Sequence, residues 1–238
     1  DEGRGTRDEG RRTKDEGRFS RFHVYTYSPF QVCTMSITII IIAITIIISL
    51  LAMNNEDIFS RLKFNAYDVK HTNQWYRFFT YGVVHAGFMH LFVNMLVLWS
   101  FGSIVESYFS FYFPGKSQFY YILLYIGGLI LSIIPAYGKH KNDVYYNAVG
   151  ASGAVSAVLF ASIILYPAGK IMFFFIPVPI PSPLFGVIYV AYEYYMGKRG
   201  GDNIGHDAHL WGAIFGVVFT AALKPGLLIL FFEQIFGQ

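Results

Sequence analysis

The sequence predicts an all-α membrane protein with several transmembrane helices. Its 238 residues are 54% hydrophobic and only 14% charged, whereas soluble domains carry about 25% charged residues. The apolar residues also form long continuous runs, which are typical of helices that cross a bilayer. The net charge of +3 gives no support for a nucleic-acid partner. The single cysteine, Cys33, excludes an internal disulfide.

The chain is expected to divide into a charged tail and an apolar domain. Residues 1–21 are three seven-residue repeats, DEGRGTR, DEGRRTK and DEGRFSR, which lack the apolar positions of a coiled coil and predict disorder. A juxtamembrane segment follows at 22–34, the membrane domain covers 35–223, and a short apolar tail covers 224–238. The repeats carry seven Lys and Arg residues, so the positive-inside rule places the N-terminus in the cytoplasm.

Six apolar segments predict a bundle of six transmembrane helices, with a short central helix as the fourth. The segments are 35–53, 83–108, 119–134, 150–166, 182–196 and 206–223. The third is expected to end at Pro135, and three prolines within 171–181 exclude a regular helix before the fifth. The fourth has about 17 residues, or roughly 25 Å, and is shorter than the ~30 Å hydrocarbon core. Its outer end is therefore expected in a sunken cavity that water can reach.

Ser152 lies between Gly150 and Gly153, where the fourth segment begins. The backbone N–H groups at a helix N-terminus are unpaired and carry the positive end of the helix dipole, which suits a developing oxyanion. Small residues are also how membrane helices pack together, so this motif alone leaves a purely structural interpretation open.

Three further polar residues are expected at the same membrane level as Ser152. His209 lies near the start of the sixth segment, and an imidazole is the usual base for a serine hydroxyl. His90 and Asn94 are four residues apart near the outer end of the second segment, so they share one helix face. Their N–H groups are donors of the kind that bind an oxyanion.

Other residues of these segments have simpler interpretations. Gly212 and Gly216 predict a close-packing face that brings the sixth helix against the fourth. Glu106 and Glu193 are assigned to the inner ends of their helices, where solvation is the expected role. His206 is expected on the rim beside His209.

The chain resembles a known family, the rhomboid intramembrane serine proteases. The matching motifs are Trp75-x-Arg77, His85-x4-His90-x3-Asn94, Gly102-x3-Glu106, Gly150-x-Ser152-Gly153 and Ala208-His209-x2-Gly212-x3-Gly216. They occur in the family's order over roughly residues 70–223. Each motif is weak alone, but the ordered set is specific.

The resemblance implies a serine endopeptidase that cleaves transmembrane segments of other proteins within the bilayer. It implies a dyad without a carboxylate, in which Ser152 is the nucleophile and His209 the general base. It implies that His90, Asn94 and the Ser152 backbone N–H bind the oxyanion, and that neither a cofactor nor a metal takes part. It further implies a membrane-embedded loop at Trp75, a substrate gate formed by the fifth span with 198–205, and a place in the bacterial inner membrane.

One position departs from the family's pattern. Four residues after the nucleophile, many members carry an aromatic residue that stacks on the catalytic histidine, whereas this chain has Ser156. Another neighbour must then hold His209, and Trp211 and Tyr192 are the candidates.

Three alternatives remain at the level of the sequence. The chain resembles a protease but could be an inactive relative that binds membrane clients, although it keeps both Ser152 and His209. A transporter with an intramembrane polar site is a second alternative, without a visible inverted repeat. A different intramembrane protease is the third alternative. A zinc type would want H-E-x-x-H, which is absent, and His206 with His209 lacks an evident third ligand. An aspartyl type would want two intramembrane aspartates, and the candidates, Asp143, Asp202 and Asp207, all lie in or beside loops.

Overall fold

The computed structural model describes residues 36–173, 176–201 and 204–237. The chain separates into a unit of residues 1–34 and a unit of residues 35–238, and all of the described residues belong to the second unit. The predicted repeat tail 1–21 and the juxtamembrane segment 22–34 therefore lie outside the described residues.

The described residues are mainly helical, as the composition predicts. The helices are α1 Ile37–Met53, α2 Glu56–Leu62, α3 Ala66–Thr72, α4 Arg77–Thr80, α5 Phe88–Tyr112, α6 Ser117–His140, α7 Ser152–Leu165, α8 Ser182–Arg199, α9 His206–Leu223 and α10 Gly226–Phe236. A 3-10 turn covers Tyr81–Val83. The strands are β1 Phe64–Asn65, β2 Asn147–Ala148, β3 Lys170–Phe173 and β4 Ile176–Pro181.

The helices identify an integral membrane protein. Within the described residues, α5 and α6 are each long and apolar enough to cross a bilayer. The pair α9 and α10 would form a third span, broken by a bend of 110°, while α1 and α7 are apolar but shorter. The predicted arrangement of six spans stays a prediction.

Two predicted helix boundaries are wrong. The second segment forms a helix only from Phe88, so His85 lies in the loop before α5. The third segment does not end at Pro135, because α6 continues through this residue to His140. A proline removes only its own backbone donor, and membrane helices tolerate such a loss where neighbouring groups replace it.

The short helix α7 lies at the centre of the fold. Every residue from Gly153 to Leu165 is buried, and α5, α6 and α9 all contact α7. Its 14 residues span roughly 21 Å. As the glycine spacing predicts, α9 approaches α7 closely, because a Cβ on Gly212 would overlap the Gly153 carbonyl and one on Gly216 would overlap the backbone of Ala157.

The connection between α1 and α5 is a folded segment that supports the loop before α7. Buried Arg77 donates hydrogen bonds to the carbonyls of Ser60 and Lys63, which joins the short helices to one another. Strand β1 pairs antiparallel with β2, just before α7. Trp75 is half exposed and stacks on Phe78, as an interfacial aromatic residue would.

The segment between α7 and α8 is the two-stranded hairpin of β3 and β4. Its second strand contains Pro177, Pro179 and Pro181, so the prediction that this segment is not a regular helix is confirmed. A two-stranded hairpin consists only of edge strands, where proline is tolerated.

Glu106 has a more specific role than the expected solvation. Its carboxylate accepts a hydrogen bond from Ser36 Oγ at 2.5 Å and one from the Ile37 backbone N–H at 2.6 Å. These groups lie at the N-terminus of α1, where unpaired N–H groups and the helix dipole favour a negative charge. One turn earlier, Gly102 lets α5 approach Thr38 and Tyr121, which a Cβ would contact at 2.6 Å.

Candidate active site

Ser152 is the first residue of α7 and is partly exposed. The two residues before it are held by hydrogen bonds from different parts of the chain. The Gly150 N–H donates to the Tyr81 carbonyl at 2.9 Å, and the Ala151 N–H donates to His85 Nε2 at 3.4 Å. The position of the serine therefore depends on the connection that precedes α5.

Gly150 is required by both its conformation and its neighbour. Its φ of +105° is rarely adopted by residues with a side chain. A Cβ there would also lie 2.6 Å from the His90 ring. His90 thus packs directly against the loop that leads into Ser152.

His85 supports this loop as a neutral imidazole. Burial, and to a lesser degree the nearby His90, lowers the pKa of His85 to about 3. The Ser49 hydroxyl donates to the Val83 carbonyl, so it accepts at 2.9 Å from His85 Nδ1–H. The other ring nitrogen, Nε2, is then free of a proton and accepts the N–H of Ala151.

Asn94 is buried on the same face of α5 as His90. Its amide nitrogen donates a hydrogen bond to the His90 backbone carbonyl at 2.9 Å, and its amide group carries a second N–H. Asn94 and His90 share one face of α5, as their spacing predicts, and their role as oxyanion donors stays a prediction.

His209 lies in the first turn of α9, with its Nδ1 atom 3.0 Å from Glu193 Oε1. A Cβ on Gly153, the neighbour of Ser152, would lie 3.5 Å from the carbonyl of Ala208, the neighbour of His209. Within the described part of the chain, no hydrogen bond joins Ser152 to His209. Catalytic pairs of free enzymes often show this and tighten only around the reacting group.

The prediction that Glu193 lies at an inner helix end in solvent is wrong. Glu193 is 5% exposed and accepts hydrogen bonds from two histidines, His206 Nδ1 at 2.6 Å and His209 Nδ1 at 3.0 Å. It lies in the C-terminal half of α8, and α8 ends at Arg199, only seven residues before α9 begins. A short connection between antiparallel neighbours brings these two ends to the same level.

His206 is also placed differently from the sequence prediction. It is buried rather than on the rim, and its ring contacts the Tyr192 ring edge to face at 5.9 Å. Tyr192 therefore packs on His206, and the contact that holds His209 comes from Glu193 instead.

Ser156, the residue that departs from the family's pattern, has a hydrogen-bond partner on α8. The Ser156 hydroxyl is 2.7 Å from the Tyr189 hydroxyl, and Ser156 is buried. Tyr189 is four residues before Glu193, so both side chains lie on one face of α8. A chain of polar groups thus runs from α7 through α8 to α9.

Glu193 supplies the third potential metal ligand that the sequence did not reveal. One ligand atom from each of Glu193, His206 and His209 lies within 4.8 Å of the others. The two histidine nitrogens lie 2.6 and 3.0 Å from different oxygens of the Glu193 carboxylate, and these are hydrogen-bond lengths. Ligands bound tetrahedrally to zinc at ~2.1 Å would be about 3.4 Å apart. The observed geometry therefore fits protons between these atoms better than a metal ion.

Sequence reasoning missed Glu193 and Tyr189 as parts of the site. A signal was present, because an ionisable residue within an apolar helix is costly and indicates a specific partner. The partner itself could not be read from α8 alone, since both histidines belong to α9.

Comparison with known proteins agrees with this architecture. The model of the Rhomboid domain matches residues 72–226, which is more than half of the chain. The chain belongs to the rhomboid family. The match begins at the last residue of α3 and includes Ser152, His209 and Glu193.

The relatives of this rhomboid come from mitochondria and from bacteria. It is 32% identical over 139 residues to the human presenilin-associated rhomboid-like protein, mitochondrial. The aligned region covers 57% of this chain and 35% of the relative. It is 31% identical over 138 residues to Rhomboid protein 1, mitochondrial, of Saccharomyces cerevisiae, covering 57% and 38%. It is 28% identical over 153 residues to Rhomboid protease GluP of Bacillus subtilis, covering 64% and 27%. The match thus spans about a third of the length of these curated relatives, and the mitochondrial proteins among them do not favour the expected bacterial membrane.

Proposed function

We propose that this rhomboid is an intramembrane serine endopeptidase in which Ser152 is the nucleophile and His209 the general base. The observation that supports this most directly is the contact of His209 Nδ1 with a carboxylate oxygen at 3.0 Å. It leaves Nε2 as the ring nitrogen available to a serine. The close packing of Gly212 on Gly153 keeps the first turn of α9 beside the residue that follows Ser152.

In the proposed reaction, Ser152 Oγ attacks the scissile carbonyl carbon while His209 Nε2 takes the hydroxyl proton. The new C–O bond moves the carbonyl electrons onto the oxygen. His209 then gives its proton to the leaving amine nitrogen as the C–N bond breaks. A water molecule hydrolyses the acyl-enzyme by the same steps, and both Ser152 and His209 return to their starting states.

The oxyanion is proposed to bind where α5 meets the beginning of α7. The backbone N–H of Ser152 belongs to the first turn of α7, whose N–H groups have no partners within the helix. Asn94 has a second amide N–H, and the His90 ring lies against Gly150. Donors that are already oriented lower the barrier because they need no rearrangement when the charge develops.

The proposed substrates are transmembrane helices of other membrane proteins, which reach the site from within the bilayer. The family acts on membrane proteins, and a substrate helix that lies in the bilayer would approach the site from the side. We assign this entry to the edge of α8, in a bundle of six spans whose N-terminus faces the cytoplasm. Retention of both Ser152 and His209 supports a catalyst over an inactive protein that binds clients.

Labelling with a fluorophosphonate tests this proposal, in detergent, alongside cleavage of a model protein with one transmembrane helix. We expect the wild type to be labelled and to cleave the model protein, and Ser152→Ala to do neither while keeping its thermal stability. The matched control is Ser162→Ala. Ser162 is a buried serine of the same helix that donates only to the Leu159 carbonyl.

The control should be labelled like the wild type. Labelling or cleavage that persists in Ser152→Ala would exclude Ser152 as the nucleophile and would reject the proposed function.

A further inference from the structure

We infer that Glu193 is a positioning residue for His209, so that the site is a serine–histidine–glutamate system rather than a dyad. This inference rests on the proposed function, because it assigns His209 the role of general base. Among the hydrogen bonds of the described residues, those of Glu193 go to His206 and His209 and none goes to Ser152. It acts through the orientation of the imidazole.

The first step of the argument is the choice of ring nitrogen. Glu193 Oε1 is 3.0 Å from His209 Nδ1, and an ionised carboxylate can only accept a hydrogen bond. The proton of the neutral imidazole is therefore held on Nδ1. Nε2 keeps its lone pair, which is the arrangement that a base for a serine hydroxyl needs.

The second step is the rigidity of the carboxylate itself. Its other oxygen, Oε2, accepts from His206 Nδ1 at 2.6 Å, and His206 is 4% exposed. Two rings from the same turn of α9 thus bind the two oxygens, so the carboxyl group cannot rotate without losing one bond. A buried carboxylate is costly unless its oxygens are paired, and this pairing meets that requirement.

The third step explains why the chain can lack an aromatic residue at position 156. Ser156 bonds to Tyr189, which lies one turn before Glu193 on α8, and Glu193 bonds to His209. The histidine is therefore held through polar contacts from α8, and it does not need a stacking surface from α7. The negative carboxylate also stabilises the imidazolium that forms when His209 takes the serine proton.

The test compares Glu193→Gln and Glu193→Asp with the wild type, on the whole chain in detergent. Gln keeps the shape of the side chain and one acceptor oxygen but loses the charge. We expect kcat for cleavage of the model protein to fall roughly 10- to 1000-fold in Glu193→Gln with KM within about 3-fold, because the loss falls on the transition state. Glu193→Asp should recover part of kcat, since it restores a carboxylate.

The matched control is Glu106→Gln. Glu106 also accepts hydrogen bonds from another helix, but it lies at the N-terminus of α1. We expect it to lower the thermal midpoint without lowering kcat. A purely structural role of Glu193 would give this same pattern and would overturn the inference.

A second measurement does not depend on activity, and its deciding result does not require Glu193→Gln to fold. Nitrogen-15 NMR of selectively labelled histidine distinguishes the two tautomers, and His209→Asn identifies the signal of His209. In Ser152→Ala we expect His209 to carry its proton on Nδ1, with a downfield proton resonance that disappears in Glu193→Gln. A proton on Nε2 in the Ser152→Ala protein would overturn the inference even if Glu193→Gln did not fold. Failure of the proposed function would instead appear as labelling that persists in Ser152→Ala, so the two failures are distinct.

Discussion

Among single residues, Glu193 is one whose burial is costly unless its charge is paired. A carboxylate buried in an apolar helix loses its hydration, and removal of one partner from such a pair costs more than the pair contributes. Its two histidine donors compensate for this loss. The same contacts that offset the cost of burying the Glu193 carboxylate also fix the ring of His209.

Ser156 is a second residue whose neighbours define its role. The sequence alone suggests that Ser156→Tyr restores a stacking surface and raises kcat, but Ser156 is 3% exposed and bonded to Tyr189 at 2.7 Å. There is no room for a second ring at this position. We therefore expect Ser156→Tyr to lower the free energy of unfolding by about 1–3 kcal/mol through overpacking and to lower kcat.

Ser156→Ala serves as the comparison for Ser156→Tyr. It removes one buried hydrogen bond and should cost only about 0.5–1.5 kcal/mol. Thermal unfolding and cleavage rates of the two variants are the measurements. A stable, faster Ser156→Tyr would mean that the packing around Tyr189 has been misjudged.

Among the elements, α7 and α9 pack closely because glycines of α9 lie directly against the backbone of α7. Their closest approach is at Gly212, where a Cβ would overlap the backbone carbonyl of Gly153. A backbone atom cannot move aside as the end of a flexible side chain can. The separation of these helices therefore sets the separation of Ser152 from His209.

Gly212→Ala should push α9 away from α7, and we expect it to abolish cleavage and to lower the thermal midpoint. Gly138→Ala is the control, because this glycine of α6 has no atom within 4 Å of an added Cβ. The control should be neutral or stabilising by about 0.5–1 kcal/mol, since alanine is the better helix former. Normal cleavage by Gly212→Ala would show that the site tolerates a larger separation of the two helices at this point.

At the scale of the whole molecule, α8 has two roles that place opposite demands on its motion. As the proposed gate it must let a substrate helix reach Ser152, and as the carrier of Glu193 it must stay on α9. The two roles are compatible if the C-terminal half of α8 remains docked while substrates pass elsewhere along it.

A reversible cross-link at the C-terminal end of α8 tests this compatibility. A Cβ on Gly197 would lie 3.6 Å from the His206 Cβ, which is within the range for a disulfide. In a Cys33→Ser background, we compare oxidised and reduced Gly197→Cys/His206→Cys, so that the loss of His206 affects both forms equally. We expect both forms to cleave the model protein at the same rate. A rate that falls on oxidation and recovers on reduction would mean that this end of α8 must leave α9 during turnover.

Some features of this protein follow from the sequence alone. Long apolar runs can satisfy their backbone only as helices in a bilayer, so the helical membrane fold was predictable. The four-residue spacing of Gly212 and Gly216 predicted a close-packing face, and the position of Ser152 at the N-terminus of α7 followed from Gly150 and the apolar run behind it. Each of these depends on residues that are near one another in the chain.

Other features were decided only by the tertiary structure. The sequence shows that Glu193 is an acid within α8, but it does not show which face of α9 lies opposite. The rotation of α8 against α9 depends on packing along both helices, and a rotation of one residue would turn Glu193 away from His206 and His209. The pairing of Ser156 with Tyr189 and the tautomer of His85 arise in the same way, because each depends on atoms from segments more than 30 residues apart. Local periodicity determines which side of a helix is apolar, whereas only the packed structure determines which polar groups meet there.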